Sequence, residues 1–355
     1  MTTFAWAQTL ALGIRPLDAA AMSAARARQA TLTKPPGSLG LLEAISVRVA
    51  GIRADARPTL RDATILVAAG DHGVAREGVS AYPPEVTAQM MLNFARGGAA
   101  INAIARQVEA RVLVVDFGVA AELPPSEAIL SRKVARGTQS FLDGPAMTRA
   151  EVEAAARAGA GIIAAEHERG LTLLAVGEMG IGNTTAASAL TAALTGADAD
   201  GVTGRGTGVS DGVRARKAAV VRQAVERHTA DAPEAAEILA RLGGLEIAGM
   251  VGAILGAAGA RIPIILDGFI SSTAALVAAR IAPAVRDYLF ASHLSEEPGH
   301  RIVLEALGLE PVLHLRMRLG EGTGAALLIP TMRSAVATLT EMATFEEAGV
   351  SGETR

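Results

Sequence analysis

Six short apolar runs alternate along the chain with longer stretches of helical character. The runs are nearly continuous rather than alternating apolar and polar, which is typical of strands buried on both faces. They are Thr64–Ala69, Arg111–Phe117, Leu171–Val176, Pro263–Asp267, Tyr288–Ser292 and Val312–Met317. The helical stretches are Pro84–Gln107, Thr148–Arg169, Asn183–Thr195, Gly212–His228, Pro233–Ala260 and Ser271–Ile281. This alternation predicts an α/β fold with a mostly parallel sheet flanked by helices.

The two chain ends are predicted to be helical and to lack strands. Residues 1–60 and Thr323–Glu347 both have this character. We therefore predict a small helical domain built from residues 1–60 and 325–355, and a large catalytic domain over residues 61–324. Residues 344–355 are expected to form a frayed tail.

Composition narrows the class of protein. Half of the 355 residues are apolar, so a large core can form. The net charge is −3, and the chain contains no long run of basic residues. This argues against binding to nucleic acid or to a membrane surface. The absence of cysteine excludes disulfides, thiolate metal sites and a thiol nucleophile. The longest apolar run, Ile247–Ala260, is too short to span a bilayer, and we read no secretion signal, so a cytoplasmic protein is expected.

Carboxylates and glycines cluster where the predicted strands end. Gly70-Asp71-His72 follows the first strand, Glu178 follows Gly177, and Asp267 ends a later strand. In parallel sheets, ligands bind outside the carboxyl ends of the strands, so these residues predict one site at that edge. The alternative is that Asp and Gly are simply common in turns.

Glycine-rich loops at predicted helix starts favour a phosphate-bearing ligand. Gly177–Asn183 leads into a helix that Asn183 or Thr184 would cap, and Gly204–Gly208 precedes the helix that carries Lys217. Backbone N–H groups at such positions bind anions. Neither loop has the spacing of an ATP-binding loop or of a dinucleotide fingerprint.

Two glutamates are candidates for acid–base chemistry. Glu178 and Glu321 each follow a glycine near a strand end, where a shielded carboxyl can act as a general base. The alternative is that each accepts N–H bonds from its own loop. Tyr82, with Ser80 and Gln89, could line a slot for a planar ring, or could simply begin a helix. Histidine spacing does not indicate a metal site, and we predict neither metal nor cofactor.

Seven motifs in order resemble the nicotinate-nucleotide–dimethylbenzimidazole phosphoribosyltransferase family across residues 34 to 324. They are Lys34-Pro-Pro-Gly-Ser-Leu-Gly40, Gly70-Asp-His-Gly-Val74, Gly177-Glu-Met-Gly-Ile-Gly-Asn-Thr-Thr185, Gly204-Arg-Gly-Thr-Gly208, Asp267-Gly-Phe-Ile270, Ser292-His-Leu-Ser-Glu-Glu-Pro-Gly-His300 and Arg318-Leu-Gly-Glu-Gly-Thr-Gly324. The resemblance implies a Rossmann-like large domain, a homodimer, and transfer of phosphoribose from nicotinate mononucleotide to 5,6-dimethylbenzimidazole. The products would be α-ribazole 5′-phosphate, for the nucleotide loop of cobalamin, and nicotinate.

The resemblance also implies roles for individual residues. Glu321 would be the general base and Glu178 would face the ribose. The 5′-phosphate would be held by Gly180, Gly182, Gly206, Gly208, Lys217 and Ser292. Gly320 and Gly322, on either side of Glu321, would also bind substrate. Ser80, Tyr82 and Gln89 would line the benzimidazole slot. His314 and Arg316 depart from the more acidic residues expected before the last motif.

Two other functions remain open from the sequence. A nucleotide-dependent oxidoreductase could use the same strand-end loops, although the phosphate fingerprint that it needs is missing. A non-catalytic carrier of a base or nucleotide could also bind here, but it would not need Glu321. Replacing Glu321 by glutamine would separate the carrier from the transferase.

Overall fold

The computed structural model describes residues 4–206, 208–231 and 233–351 and contains six strands and fifteen α-helices within them. The strands are β1 (Ala63–Gly70), β2 (Arg111–Gly118), β3 (Ile129–Ser131), β4 (Leu173–Met179), β5 (Ile264–Leu266) and β6 (Leu289–Ala291). The helices are α1 (Ala5–Leu12), α2 (Ala19–Gln29), α3 (Leu41–Arg53), α4 (Glu85–Ala95), α5 (Ala100–Gln107), α6 (Arg149–Glu168), α7 (Asn183–Thr195), α8 (Ala199–Val202), α9 (Asp211–Thr229), α10 (Ala235–Leu242), α11 (Leu245–Gly259), α12 (Phe269–Ile281), α13 (Pro298–Leu307), α14 (Thr323–Glu341) and α15 (Phe345–Ala348). Short 3₁₀ helices cover Gly73–Glu77 and Pro283–Tyr288.

The sheet is parallel throughout, in the order β3-β2-β1-β4-β5-β6. The central strand β1 pairs Leu66 with Leu113 of β2 and with Val176 of β4. Every residue of β1 is buried, which explains why its sequence is continuously apolar. This strand order is the Rossmann order, with its switch point between β1 and β4. The predicted α/β class is confirmed.

Two strand predictions were wrong. Residues 129–131 form a third strand at the sheet edge that the sequence did not reveal, because three residues carry no readable period. Residues 312–317 form no strand; they make one isolated bridge, between Leu313 and His293, and a few hydrogen bonds to residues 291–296. Their apolar residues imitate a strand, but Arg316 has a left-handed φ of +53° that turns the chain.

Two predicted helices are each divided by a glycine pair. The stretch 84–107 breaks at Gly97-Gly98, where Gly97 has a φ of +76°, and yields α4 and α5. The stretch 233–260 breaks before Leu245 and yields α10 and α11. A Cβ on Gly244 would lie 2.3 Å from Cε1 of His72, so this break lets the backbone approach the carboxyl end of β1.

Helices α6 and α11 pack backbone against backbone on one face of the sheet. A Cβ on Gly159 would lie 2.0 Å from the carbonyl oxygen of Gly249, and one on Gly252 would lie 1.8 Å from that of Ala156. Small residues therefore permit this close approach, and the core needs few aromatic side chains to fill it.

The helices from the two chain ends pack together. Helices α2, α3 and α14 share a separate apolar cluster of Ala25, Val47, Ala50 and Leu339. Helix α1 instead packs against α11. The expected frayed tail was wrong for residues 344–350, because Thr344 bridges to Leu32 and caps α15. Residues 352–355 lie outside the described residues. None of the helices in the described ranges is both long enough and apolar enough to cross a membrane.

Candidate active site

The candidate site lies at the switch point, where β1 and β4 end side by side. Asp71 and His72 follow β1, and Glu178 is the last residue but one of β4, which ends at Met179. Connections from these two strands run to opposite sides of the sheet, which leaves a crevice between them. The loop that carries Glu321 reaches this crevice from the start of α14.

The Glu321 loop has an unusual backbone. Gly320, Glu321 and Gly322 have φ values of +86°, +64° and +85°, and a non-glycine residue in this region costs about 1–3 kcal/mol. The loop also presses against β4, since a Cβ on Gly177 would lie 2.2 Å from the amide nitrogen of Gly322. The surrounding structure therefore holds Glu321 in a strained position.

Asp267, which follows β5, anchors that loop. Its Oδ2 accepts a hydrogen bond from the Gly322 amide at 3.0 Å, and its Oδ1 accepts from the amides of Gly324 at 2.7 Å and Ala325 at 3.0 Å. A carboxylate from a different strand thus caps α14. Burial raises the pKa of Asp267 to about 7, although the three amides act in the opposite direction.

The Glu321 carboxyl is shielded but not fully paired. Glu321 is only 7 % exposed, and its Oε2 is buried without a hydrogen-bond partner in the described part of the chain. Burial raises the pKa of Glu321, while the backbone of Ile101 at the start of α5 lowers it. A carboxylate in this state has an oxygen available to accept a proton.

Glu178 lies among other acidic groups. Its Oε2 accepts a hydrogen bond from the Asn183 side chain. Burial raises its pKa well above the usual value, and the negative charges of Asp267, Glu246 and Glu321 add to that shift. Glu178 is therefore disposed to keep its proton and to donate a hydrogen bond.

A buried histidine and glutamate form a close pair near Glu178. The Nε2 of His72 is 2.6 Å from Oε1 of Glu246, and both side chains are almost completely buried. The other oxygen of Glu246 and the Nδ1 of His72 have no partner among the described residues. Glu246 does not stand out in the sequence, where its only signal is that it is the one acid at the start of an otherwise apolar helix.

Lys217, a predicted phosphate ligand, lies buried beside the start of α7. It is 1 % exposed, and its Nζ donates to Oγ1 of Thr184 at 2.7 Å. Burial lowers the pKa of Lys217 to about 8, and the charge of Glu297 opposes that shift. A Cβ on Gly206 would lie 3.7 Å from Nζ, so the backbone of Gly206 lies next to the lysine.

Other predicted phosphate ligands have their polar groups engaged within the protein. The Gly206 amide donates to Oε1 of Glu297 at 2.8 Å, and the Gly208 amide donates to the carbonyl of Arg205. The Ser292 hydroxyl donates to the carbonyl of Asp267. Gly182 is the residue that precedes α7, so the expected capping by Asn183 or Thr184 was wrong: Asn183 instead binds Glu178.

Gly180 and Gly182 serve close packing at the crevice. A Cβ on Gly180 would lie 2.2 Å from the carbonyl oxygen of Gly70, and Gly182 has a φ of +96°. The amide of Ile181 between them donates to Oγ1 of Thr87 on α4. This bond, which the sequence did not suggest, joins the glycine loop to α4.

The predicted base-slot residues lie on and before α4. Ser80 is partly exposed and accepts a hydrogen bond from the amide of Tyr82, whose side chain is 51 % exposed. Gln89 is exposed on the same helix. Since Thr87 of α4 binds the amide of Ile181, α4 borders the crevice; Gln89 lies on this helix, and Ser80 and Tyr82 lie in the segment that leads into it.

Comparison with known proteins identifies the family. A phosphoribosyltransferase family profile matches residues 14–350. The nicotinate-nucleotide–dimethylbenzimidazole phosphoribosyltransferase of Chloroflexus aurantiacus is 54 % identical over 338 residues, covering 95 % of this chain and 96 % of that protein. The enzyme of the same name from Geobacter sulfurreducens is 49 % identical over 338 residues, with the same coverage.

The solved structures agree with the sequence relatives. The crystal structure of CobT from Thermus thermophilus superposes with a TM-score of 0.91 at 50 % identity, covering 94 % of this chain and 99 % of that one. The resemblance carried by the seven motifs is thereby confirmed. The chain belongs to the nicotinate-nucleotide–dimethylbenzimidazole phosphoribosyltransferase family.

Proposed function

We propose that this enzyme transfers the 5-phosphoribosyl group of nicotinate mononucleotide to 5,6-dimethylbenzimidazole. The products are α-ribazole 5′-phosphate and nicotinate, and the former supplies the nucleotide loop of cobalamin. The observation that carries the proposal is the strained, buried Glu321 at the switch point, with a carboxylate oxygen that has no partner in the part of the chain that the structure describes. The names of the relatives support the choice of substrates.

Glu321 acts as the general base. The unprotonated ring nitrogen of dimethylbenzimidazole attacks C1′ of the ribose, and the proton on the opposite ring nitrogen moves to Glu321. The C1′–nitrogen bond to the pyridinium breaks at the same carbon with inversion from β to α. Nicotinate leaves with the bonding electrons and so loses its positive ring charge. Removal of a proton by a positioned base contributes about 10²–10⁴ in rate.

The remaining residues position the nucleotide. Protonated Glu178 donates a hydrogen bond to the ribose side, and Lys217 provides the cation for the 5′-phosphate beside Gly206. Ser80, Tyr82 and Gln89 border the base. The four glycines beside Glu178 and Glu321 lack side chains and so allow the backbone to approach the bound substrates closely: Gly180, Gly182, Gly320 and Gly322. Alignment of the attacking nitrogen with C1′ supplies the rest of the rate enhancement.

A product assay tests the function. The purified protein is incubated with nicotinate mononucleotide and 5,6-dimethylbenzimidazole, and products are separated by chromatography and identified by mass. We expect equal amounts of nicotinate and α-ribazole 5′-phosphate. Binding of the nucleotide without either product would support the carrier, and oxidation or reduction of an added nicotinamide dinucleotide would support the oxidoreductase.

The affinity for nicotinate mononucleotide is expected to fall at alkaline pH. The pKa of Lys217 is about 8, and a neutral lysine no longer attracts the phosphate, so kcat/KM should decrease as the pH rises through about 8. The measurement is kcat/KM for the mononucleotide from pH 6 to 10. Lys217→Met should have a low kcat/KM and lack this alkaline decrease. If the variant showed the same decrease as the wild type, the decrease would come from a group other than Lys217.

We also propose that the protein is a homodimer and is located in the cytoplasm. Each chain has a large domain of residues 61–324 and a small domain of residues 1–60 and 325–355. Tyr82, Leu315 and Leu319 are large side chains that are exposed to solvent, as expected of a surface that a second subunit covers. Light scattering coupled to gel filtration should give about twice the chain mass of 36.2 kDa. A mass of one chain at micromolar concentration would contradict the dimer.

A further inference from the structure

Arg318 connects the two halves of the candidate site. Its Nη1 donates a hydrogen bond of 3.2 Å to the carbonyl oxygen of Gly206, in the loop that borders Lys217. Arg318 precedes Glu321 by only three residues. The side chain therefore reaches the phosphate loop while the backbone continues directly into the strained turn that holds the base.

The same glycine is held from its other side. The amide of Gly206 donates to Oε1 of Glu297 at 2.8 Å. The other oxygen of Glu297 is buried without a partner in the ranges that the structure describes, and a Cβ on Gly204 would lie only 2.2 Å from it. Both polar groups of Gly206 are thus bound by residues from the last third of the chain.

The segments that carry Glu297 and Arg318 are themselves joined. The amide of Leu294 donates to the carbonyl of Leu313 at 3.0 Å, and the amide of Glu296 donates to that of Met317 at 3.1 Å. Hydrogen bonds therefore link Gly206 to Met317 and Arg318, and the backbone continues from these residues to Glu321. Movement of Gly206 would be transmitted along this path to the residues just before Glu321.

We propose that Arg318 is a positioning residue through which the bound 5′-phosphate aligns the Glu321 carboxylate with the benzimidazole. This inference rests on the proposed function. When the phosphate fixes Gly206 beside Lys217, the Arg318–Gly206 bond fixes the turn at Gly320–Gly322. Binding energy from a part of the substrate that does not react is then used in the chemical step, so that its removal lowers kcat and not only affinity.

The test combines a substrate change with a substitution. The wild type and Arg318→Met are each assayed with nicotinate mononucleotide and with nicotinate riboside, which lacks the phosphate. With the wild type, loss of the phosphate should lower kcat about 10-fold, the effect of about one hydrogen bond from a charged donor. Arg318→Met should show a similar loss with the mononucleotide and no further loss with the riboside, because the two changes remove the same coupling.

The pH dependence of kcat gives an independent readout. A loosened turn lets water reach Glu321, which reduces the burial that raises its pKa. The pH at which kcat falls on the acid side of its profile should therefore be lower for Arg318→Met than for the wild type. Arg318→Lys retains a donor and should partly restore both kcat and the position of this acidic limb. Arg280→Met is the matched control, since exposed Arg280 likewise donates to one carbonyl, that of Leu194, away from the crevice.

Several results would overturn the proposal. An equal loss of kcat with both substrates would make Arg318 merely structural, and a loss confined to the KM for the mononucleotide would make it a direct phosphate ligand. An unshifted acidic limb, or equal losses in Arg318→Met and Arg280→Met, would also refute it. If the wild type formed no product from the mononucleotide, the proposed function itself would fail, and the coupling would fail with it.

Discussion

Replacement of Glu321 by glutamine is expected to lower kcat by about 10²–10⁴-fold, the usual contribution of a general base. Glutamine has nearly the same shape and fits the turn, but it cannot take the proton from the benzimidazole. The KM for nicotinate mononucleotide should change little because Lys217 and the Gly204–Gly208 loop remain intact. Steady-state rates of nicotinate release measure both quantities.

Two controls make the Glu321 result specific. Glu310→Gln removes an exposed glutamate from the same part of the chain and should retain full activity. In the wild type, kcat should fall as the pH drops through the raised pKa of Glu321, whereas the variant should lack that limb. A kcat within about threefold of the wild type would rule out Glu321 as the base, given the size of the effect expected of one.

Asp267→Asn should impair both activity and stability. Asparagine retains one acceptor oxygen, but its amide group would face one of the three backbone donors that Asp267 binds. A buried donor left without a partner costs about 1–3 kcal/mol of unfolding free energy. The loop that holds Glu321 would also shift, and a misplacement of about 1 Å can cost about 10²-fold in kcat. Denaturant unfolding and steady-state kinetics measure the two effects.

Asp116→Asn is the matched control for Asp267. Asp116 is also buried at the end of a strand, and its Oδ1 accepts a hydrogen bond from the Val119 amide at 2.8 Å, but it does not touch the Glu321 loop. It should lose stability while keeping its kcat. Equal losses of kcat in both variants would show that Asp267 does not act through Glu321.

The raised pKa of Asp267 adds a signature in the pH dependence of stability. The folded state keeps the proton up to pH about 7, whereas the unfolded state releases it near 3.8. The folded state therefore binds more protons between these values, and its unfolding free energy decreases as the pH rises through them. Asp267→Asn should show a shallower decrease over that range. A difference of the opposite sign would contradict the raised pKa.

The sequence was sufficient to predict most of the sheet. The β1, β2 and β4 runs are long, apolar and bounded by turn residues, since strands buried on both faces need no polar positions. Residues 312–317 carried the same local signal without forming a strand. Pairing depends on neighbours, and this segment forms a single bridge, between Leu313 and His293, with a few hydrogen bonds to residues 291–296.

The candidate site was predictable in its location and in part of its composition. Glu178, Lys217 and Glu321 stood out because carboxylates and a rare lysine occur beside glycines at strand and helix ends. Their environments were not readable, because burial and charge depend on residues distant in sequence. Asp267 binds amides 55 to 58 residues later, and Glu246 lies 174 residues from His72.

The sequence by itself determined the parallel sheet, the family and the positions of the main chemical groups, because these follow from local periodicity and from motifs of fixed spacing. Only the tertiary structure decided which carboxylates are partnered. It caps α14 with the side chain of Asp267, leaves an oxygen of Glu321 without a partner among the described residues, and links Arg318 to Gly206. These properties arise from contacts between elements far apart in the chain, where burial and hydrogen bonding set the reactivity of each group.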